Sequence, residues 1–388
     1  MKVLLLANYR PDGQESMQRF ADMLADGLTQ HGHEVRVLRP EPRLLQGGRT
    51  PKKLEKWLGY VDKLVLFPSV LREAARWADI VHICDHSNAF YVKYLDGRHH
   101  LVTCHDMLAI RSAMGEIPQN RTRWSGRLQQ RMILRGLRAA QHIACVSRQT
   151  QSEVQRILQR PEDDTTLVYN GLNYPYAPMG WAAADRRLGK LLGAAPGPFF
   201  LHVGGNNWYK NRPGVLKIFR RLAVMPQFRE HRLLMVGKPW TPAMRQYVHA
   251  HGLTERVLEI HNVDNEDLRA CYSRASALLF PSLQEGFGWP IVEAQACGCP
   301  VVTSQRAPMT EVGGSAAVYI DPEQPEAAAG IIVSRLAAAE ALRQAGLKNA
   351  QRFSPDGMIT SYIRLYAEVC NENPAFDQIR EPRRRRSC

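Results

Sequence analysis

Short apolar segments alternate along this chain with longer amphipathic ones, and the alternation runs twice. Apolar runs separated by helix-length segments are typical of βα units, which build a parallel, doubly wound sheet. A passage rich in Pro, Gly and Asn, residues 170–180, interrupts the alternation near its middle. The sequence therefore predicts an α/β protein with two Rossmann-like domains. The predicted strands are residues 3–7, 34–38, 80–83, 100–104, 142–146, 166–168, 199–203, 232–236, 257–260, 277–280 and 301–303.

Amphipathic segments between the strands predict helices. Ser16 is expected to cap the first of them, because a serine side chain accepts a hydrogen bond from a first-turn N–H group. The predicted N-terminal domain spans residues 1–180, the predicted C-terminal domain spans residues 181–358, and a basic tail covers residues 371–388. The predicted helices include residues 16–30, 72–77, 149–158, 290–297 and 359–369.

Composition places the chain among ordinary globular proteins. Of its 388 residues, 45% are hydrophobic and 23% are charged, which suffices for a core in each domain. No apolar run approaches the roughly 18 residues of a membrane span, and the N-terminal apolar run is too short for a signal peptide. The eight cysteines show neither a disulfide framework nor zinc-type spacing, and Cys84, Cys104 and Cys145 lie in apolar segments. These features predict a cytoplasmic protein.

The net charge of +14 is concentrated in two places. One is the tail, with consecutive arginines at 383–386, and the other is the region from Arg111 to Arg138. Such a basic stripe attracts anionic lipid head groups, nucleic-acid phosphates or a diphosphate-bearing acceptor. A solvated helix face and peripheral contact with an anionic membrane are both open interpretations. Helical spacing puts four residues of this region on one face, namely Arg127, Arg131, Arg135 and Arg138.

Two carboxylates stand close together in the segment 281–293. Glu285 follows a predicted buried strand, and Glu293 falls about one turn into the next predicted helix. Gly286 and Gly288 let the backbone approach a ligand closely, and the N–H groups at a helix start suit hydroxyl or anionic partners. Ligands of open α/β sheets bind at this end of the strands, so a binding site is predicted here.

A second candidate lies in the segment 201–212, where a strand runs into a Gly-rich loop with Lys210 before a helix. Backbone N–H groups and a lysine in such a loop form a plausible diphosphate cradle, although Gly-Gly after a strand is a common pattern. His105 and Asp106 follow a further predicted strand. A histidine at such a position is more often structural than functional.

Together these segments resemble the retaining glycosyltransferases of the GT-B fold, family 4. The resemblance covers nearly the whole chain and is strongest from residue 199 to residue 321. It implies two Rossmann-like domains whose parallel sheets face each other across a cleft, with a nucleotide-sugar donor held mainly by the C-terminal domain. It also implies that the last helix returns to the N-terminal domain. Neither a metal ion nor a cofactor is implied, and the chain has no Asp-x-Asp triplet.

The resemblance assigns roles to individual residues. Glu293 would hold the ribose hydroxyls, Lys210 would bind and stabilise the leaving diphosphate, and Glu285 would orient the sugar. His105 would contact the sugar from the N-terminal domain. Backbone amides would bind sugar hydroxyls, and other loop residues would assist donor binding; these are Gly286, Phe287, Gly288, Gly204, Asn206, Asn207 and Arg212.

Two loops depart from the family pattern. Many relatives carry an arginine directly after the first glycine of the Gly-rich loop, where this chain has Gly205. Unless another cation replaces that arginine, the leaving group is stabilised less than usual. The loop of residues 8–16 has Gly13 alone where relatives often have adjacent glycines, and it is expected to contribute to acceptor recognition.

The implied reaction transfers a hexose, such as mannose or glucose, with retention of configuration. Its donor would be GDP-mannose or a UDP-sugar, and its acceptor a glycan or lipid-linked acceptor of polysaccharide biosynthesis at the inner face of the plasma membrane. No nucleic acid partner is expected. Two alternatives stay open: a nucleotide-sugar epimerase or a phosphorylase on the same architecture, and a non-catalytic protein that binds nucleic acid or membrane.

Overall fold

A computed structural model of the chain describes residues 1–44, 52–193 and 196–371, without the side chains of residues 52–56. The predicted tail with its arginines at 383–386 lies outside the described residues. The chain divides into two compact units. The first unit consists of residues 1–169 together with the segment that begins at Pro355, and the second unit is Asn170–Ser354.

The first unit is an α/β structure. Its strands are β1 (Lys2–Leu6), β2 (Glu34–Leu38), β3 (Ile80–Ile83), β4 (His100–Cys104), β5 (His142–Cys145) and β6 (Thr165–Leu167). Its helices are α1 (Glu15–Gln30), α2 (Lys52–Val61), α3 (Phe67–Ala75), α4 (Leu108–Met114), α5 (Trp124–Ala139), α6 (Arg148–Leu158) and α15 (Pro355–Asn371). The strands form one parallel sheet in the order β2-β1-β3-β4-β5-β6. Strands β3, β4 and β5 are buried along their whole length, as expected where helices cover both faces of a parallel sheet.

The second unit repeats this architecture. Its strands are β7 (Phe199–Gly204), β8 (Arg232–Gly237), β9 (Val257–Ile260), β10 (Ala277–Phe280), β11 (Val301–Ser304) and β12 (Ala317–Ile320). Its helices are α7 (Trp181–Leu192), α8 (Arg212–Ala223), α9 (Pro242–Ala250), α10 (Asn265–Arg274), α11 (Trp289–Ala296), α12 (Met309–Gly313), α13 (Pro325–Leu336) and α14 (Ala339–Ala350). The strands form a second parallel sheet in the order β12-β11-β10-β7-β8-β9. The predicted fold class is therefore confirmed.

The predicted strands are confirmed, each within one residue at either end. Strand β12 was not predicted. It is an edge strand that follows a run of Gly, Ser and Ala, so its apolar signal is weak. The predicted cap at Ser16 is wrong, because α1 already begins at Glu15 after Gln14. Gly13 there has a φ of +65°, which turns the chain into the helix one residue earlier than expected.

Four other helices differ from the predicted bounds, and of these α11 lies one residue earlier than predicted at both ends. Helix α3 begins at Phe67 instead of residue 72, with Pro68 in its first turn, where proline is favoured. Helix α6 begins one residue early because Ser147 caps it by accepting a hydrogen bond from the Thr150 N–H group. Helix α15 extends beyond residues 359–369 at both ends.

Residues 170–180 belong to the second unit, whereas the sequence placed them at the end of the first domain. They pack on α10, where the Tyr174 hydroxyl donates to Glu266 over 2.6 Å. The Met179 N–H group donates to the Ser273 hydroxyl oxygen over 3.0 Å. These hydrogen bonds to α10 hold the segment in the second unit, and turn-forming residues alone do not reveal them.

Helix α15 completes the first unit through a buried polar network. Nδ1 of His82 lies 2.7 Å from the Tyr366 hydroxyl, and Nε2 lies 2.7 Å from the hydroxyl of Thr103. The Tyr362 hydroxyl lies 2.9 Å from the same Thr103 oxygen. Burial lowers the pKa of His82 to about 3, so its imidazole is neutral at neutral pH. This hydrogen-bonded arrangement satisfies polar groups that would otherwise be costly to bury.

The predicted behaviour of the cysteines is confirmed. Cys84, Cys104 and Cys145 are buried and carry free thiols, and burial raises the pKa of each. They are therefore core residues of the first unit. Among the described helices, none is long and apolar enough to cross a bilayer.

Candidate functional site

Two loops leave the second sheet at the place where its strand order reverses. Strands β7 and β10 are neighbours, but the chain continues from them toward opposite edges of the sheet. Ligands of open α/β sheets bind outside the carboxyl ends of the strands at such a switch point. The two loops are the Gly-rich loop (residues 204–212), which follows β7, and the Glu285 loop (residues 281–288), which follows β10.

Backbone and side-chain hydrogen bonds join the two loops. The Leu283 N–H group donates to the Tyr209 carbonyl over 2.7 Å. The Asn211 amide donates to the Pro281 carbonyl over 3.0 Å. Asn211 has a φ of +51°, a left-handed conformation that asparagine adopts more readily than most residues. The loops therefore form one connected structure.

An ion pair completes this connection. Nζ of Lys210 lies 2.8 Å from Oε1 and 2.9 Å from Oε2 of Glu285. The Glu285 side chain is 6% exposed and that of Lys210 is 19% exposed. An ammonium group has three N–H donors, and the carboxylate takes two of them. The third donor remains for another acceptor, such as a phosphate oxygen.

Glu293 is positioned by a neighbouring helix. It lies in α11, about one turn from the helix start as predicted, and it is buried. The Tyr272 hydroxyl, from α10, donates to its Oε2 over 2.8 Å. Burial and the Glu293 carboxylate raise the pKa of Tyr272 well above its usual value, so the phenol stays protonated and remains a donor. The sequence gives no signal for this contact, because the two residues lie on different helices.

The glycines of the Glu285 loop have distinct geometries. Gly288 precedes α11 with a φ of +104°, where any side chain would be strained. Phe287 is buried, and its ring packs edge to face on Phe353 with 5.5 Å between centroids. The Phe287 side chain thus anchors the loop, and its predicted role in binding rests on its backbone amide. Gly286 connects this anchor to Glu285.

Arg212 and Asn206 brace the Gly-rich loop. Arg212 is 2% exposed, and its Nη1 donates to the Lys238 carbonyl over 2.7 Å and to Oδ1 of Asn206. Nδ2 of Asn206 donates to the Pro239 carbonyl over 2.6 Å. Burial lowers the pKa of Arg212. The guanidinium is therefore directed into the unit and holds the loop against the segment after β8.

Gly204 and Asn207 are the other residues of the Gly-rich loop for which a role was predicted. A Cβ built on Gly204 would lie 3.3 Å from Nε2 of His202, so a side chain fits poorly there. Burial lowers the pKa of His202 to about 3, and this imidazole is neutral at neutral pH. Asn207 is exposed, and its amide donates to the Tyr209 hydroxyl over 3.0 Å.

His105 lies in the first unit, directly after β4. It is buried, and its Nε2 lies 2.9 Å from the Cys84 carbonyl, so Nε2 carries the proton. Burial lowers the pKa of His105, which keeps the imidazole neutral at neutral pH. The neighbouring Asp106 accepts a hydrogen bond from the Leu108 N–H group over 2.9 Å and thus supports the start of α4.

A buried polar cluster at the switch point of the first sheet was not predicted. Asn8 follows β1 and Asp85 follows β3, and these strands are neighbours. Nδ2 of Asn8 lies 2.5 Å from Oδ2 of Asp85, and Nδ1 of His86 lies 3.2 Å from Oδ1 of Asp85. Burial acts to raise the pKa of Asp85, but the neighbouring His86 and His105 together with the hydrogen bonds from the Ser87 N–H and hydroxyl groups outweigh it and lower the pKa. The position of polar residues directly after adjacent strands could have revealed this cluster.

The basic stripe on α5 is only partly as predicted. Its arginines Arg127, Arg131, Arg135 and Arg138 are exposed, as expected. Arg111 does not belong to the stripe, because it forms ion pairs with Glu116 and Glu153. Trp124 and Leu128 lie on the same face of α5 as these arginines by helical spacing, and they are 78% and 53% exposed. This face, the α5 surface, therefore combines apolar and basic side chains.

No metal site is evident in the part of the chain that the structure describes. Within residues 1–44, 52–193 and 196–371, no group of three or more His, Cys, Asp or Glu side chains is arranged to hold a metal ion.

Models of two known protein families match the chain. The family model described as "Glycosyl transferases group 1" matches residues 190–352, which include the Gly-rich loop and the Glu285 loop. The model described as "Glycosyltransferase Family 4" matches residues 17–174. The chain is a group 1 glycosyltransferase. The resemblance inferred from the sequence is thereby confirmed.

Relatives and solved structures agree with this assignment. The glycosyltransferase is 27% identical over 340 residues to the O-antigen chain mannosyltransferase B of Escherichia coli, covering 87% of this chain and 83% of the relative. Its fold matches sucrose-phosphate synthase from Thermosynechococcus elongatus with a TM-score of 0.75 at 19% identity, over 95% and 99% of the two chains. It also matches Anabaena HepE, solved with UDP and glucose, with a TM-score of 0.71 at 18% identity, over 95% and 99%. The fold is GT-B.

Proposed function

We propose that this glycosyltransferase transfers mannose from GDP-mannose to a glycan or lipid-linked acceptor during polysaccharide assembly, with retention of configuration. The observation that carries the proposal is the ion pair between Lys210 and Glu285, which joins the Gly-rich loop to the Glu285 loop at the switch point of the second sheet. Mannose as the sugar is supported by the E. coli relative, which is named as a mannosyltransferase. A nucleotide donor is supported by HepE, which was solved with UDP and glucose.

The proposed donor-binding roles are supported by the geometry of the second unit. Glu293 would accept hydrogen bonds from the ribose hydroxyls, and the Tyr272 hydroxyl would keep its carboxylate in place. Lys210 would give its third N–H donor to the diphosphate, while Glu285 would accept from the sugar hydroxyls. The backbone N–H groups of Gly286, Phe287 and Gly288 are the proposed partners of the remaining sugar oxygens. The role of His105 at the donor sugar stays a prediction.

Retention requires no nucleophile on the protein. The bond between the anomeric carbon and the diphosphate oxygen breaks, and the acceptor oxygen bonds to the anomeric carbon on the same face. The departing phosphate oxygen takes the acceptor proton. The protein contributes position and electrostatic stabilisation of the leaving diphosphate, chiefly through Lys210. Metal independence is part of this proposal, and loss of activity on chelation with EDTA would contradict it.

We expect GDP-mannose to raise the unfolding temperature of the wild-type protein by about 5 °C at a ligand concentration 100 times Kd, because it binds only the folded state. Glu293→Gln should reduce this shift, since the amide accepts from only one oxygen and cannot hold both ribose hydroxyls as a carboxylate does. Thermal shift measurements with GDP-mannose, UDP-glucose and ADP-glucose give the comparison. Lys217→Ala removes an exposed lysine of α8 and serves as the control.

The products that the wild-type protein releases from the donor determine the stereochemistry and the reaction class. ¹H NMR of GDP-mannose hydrolysed without acceptor should show the α-anomer of mannose first if the enzyme retains configuration. Release of the β-anomer would contradict retention. Conversion of the donor into another nucleotide-sugar would identify an epimerase instead. A thermal shift with UDP-glucose alone would contradict GDP-mannose as the donor while preserving the assignment of the site.

We also propose that the α5 surface contacts an anionic membrane, which would place the enzyme at the inner face of the plasma membrane. Exposed Trp and Leu side chains beside arginines suit a membrane interface, where the rings and alkyl chains enter the head-group region. Each arginine near such a surface contributes on the order of 1 kcal/mol.

The variant Arg131→Glu/Arg135→Glu should therefore bind vesicles that contain phosphatidylglycerol at least about tenfold more weakly than the wild type. Co-sedimentation with vesicles of phosphatidylglycerol and phosphatidylcholine measures this affinity. Arg220→Glu/Arg229→Glu changes the net charge equally in the second unit and should bind as the wild type does. Equal losses in both double variants would show that net charge alone drives the binding.

A further inference from the structure

The cations of the Gly-rich loop are already engaged within the second unit. Lys210 forms an ion pair with Glu285, so it shares its single charge between that carboxylate and the diphosphate. Arg212 is buried, and its Nη1 donates to the Lys238 carbonyl and to Oδ1 of Asn206, so its guanidinium lies beneath the loop and is not exposed to a ligand. A nucleoside diphosphate carries at least two negative charges at the phosphates. Because Lys210 and Arg212 already have partners, much of the negative charge of the diphosphate has no compensating cation in the Gly-rich loop.

Lys238 lies directly beside this loop. Lys238 is exposed, and among the described side chains it has no ion-pair partner. A Cβ built on Gly205 would lie 3.8 Å from Cγ of Lys238 and 3.5 Å from Oδ1 of Asn207, which are ordinary contact distances. The alkyl stem of Lys238 therefore runs past the residue where a larger side chain would otherwise stand.

The backbone fixes Lys238 in this position. Gly204 and Gly237 are paired across β7 and β8, and a Cβ on Gly237 would lie only 2.1 Å from the Gly204 carbonyl oxygen. The two strands thus approach so closely that only glycine fits, and Lys238 is the next residue. The Lys238 carbonyl accepts from Arg212, and the Pro239 carbonyl accepts from Asn206. The segment after β8 is therefore bound to the Gly-rich loop on both sides.

We propose that Lys238 is a phosphate-binding residue of the donor site and supplies the cation that Gly205 leaves out. The inference rests on the proposed function, because it requires a nucleoside diphosphate at the Gly-rich loop. Lys238 is a flexible, exposed ammonium, which suits a diphosphate whose charge increases as the sugar leaves. Its ligand is the diphosphate and not the base or the sugar.

Lys238→Ala should weaken GDP binding about tenfold, the lower end of the range for a hydrogen bond between charged groups. Binding of GMP, which lacks the second phosphate, should weaken much less. Lys238→Arg should bind GDP as the wild type does. Isothermal titration of GDP, UDP and GMP at two salt concentrations measures each affinity, and the salt dependence of diphosphate binding should be smaller for Lys238→Ala than for the wild type.

A second substitution separates a charge effect from a structural one. The variant Lys238→Ala/Gly205→Arg places a guanidinium on the Gly-rich loop, next to the position that the Lys238 side chain occupies in the wild type. This variant should recover most of the lost GDP affinity. The inference is overturned if Lys238→Ala binds the diphosphates as tightly as the wild type. It is also overturned if GMP and GDP weaken equally and Gly205→Arg restores neither. If the wild type binds neither GDP nor UDP, the proposed function fails together with this inference.

Discussion

Lys210→Ala is expected to lower kcat/KM for sugar transfer between about 100-fold and 1,000-fold, the loss typical of removing one group that stabilises charge in a transition state. Lys210 is the lysine that joins the Gly-rich loop to Glu285, and we assign its third N–H group to a hydrogen bond with the leaving diphosphate. The loss should appear mainly in kcat, because the diphosphate gains charge as the sugar departs. Steady-state kinetics of donor hydrolysis measure it even without a known acceptor.

The same variant should also unfold more easily. Removing Lys210 leaves the Glu285 carboxylate, 6% exposed, without its ion-pair partner, at a cost of about 2 kcal/mol. Lys210→Ala/Glu285→Gln should recover most of this stability, since a neutral amide needs no counter-charge, but it should recover none of the activity. Thermal unfolding beside the kinetics distinguishes the two effects. Recovery of activity in the double variant would show that the pair is structural only.

Gly237→Ala is expected to reduce the free energy of unfolding by about 3 kcal/mol or more and to abolish measurable nucleotide binding. Gly237 has a φ of +143°, and its added Cβ would lie 2.1 Å from the Gly204 carbonyl oxygen. The backbone of β7 must move to relieve this contact, and the Gly-rich loop moves with it. Denaturant unfolding and titration with GDP measure the two losses.

Gly252→Ala provides the matched control for this substitution. Gly252 also has a positive φ, +64°, but a Cβ there would meet nothing within 4 Å. Its substitution isolates the conformational cost, about 1 kcal/mol, and should leave GDP binding unchanged. Equal stability losses in the two variants would mean that the close approach of β7 and β8 contributes little.

Much of the fold follows from local sequence. The strands are short apolar runs, such as residues 277–280, and burial in a parallel sheet requires little more than that. Lys210 and Glu285 could be assigned to loops at the ends of two strands because each loop follows an apolar run. Their direct contact could not be derived, because it depends on the reversal of strand order between β7 and β10.

The sequence does not predict the tertiary contacts that hold the site residues in place. Arg212 looks like a free cation in the Gly-rich loop, but tertiary packing buries it beneath the loop. Tyr272 belongs to a helix without any motif, and its hydroxyl meets Glu293 only because α10 packs on α11. Such contacts depend on how helices pack, and the periodicity of a single segment contains no information on the partner that it will meet.

The polar network of His82 has a consequence for synthesis. Its partner Tyr366 lies 284 residues further along the chain, and the whole of Asn170–Ser354 is made in between. A nascent chain therefore presents the sheet of the first unit to the ribosome exit and to chaperones without the helix that covers His82 and Thr103. Domains generally fold as they emerge, N-terminal ones first. Here the unit that is synthesised first is the last to be completed.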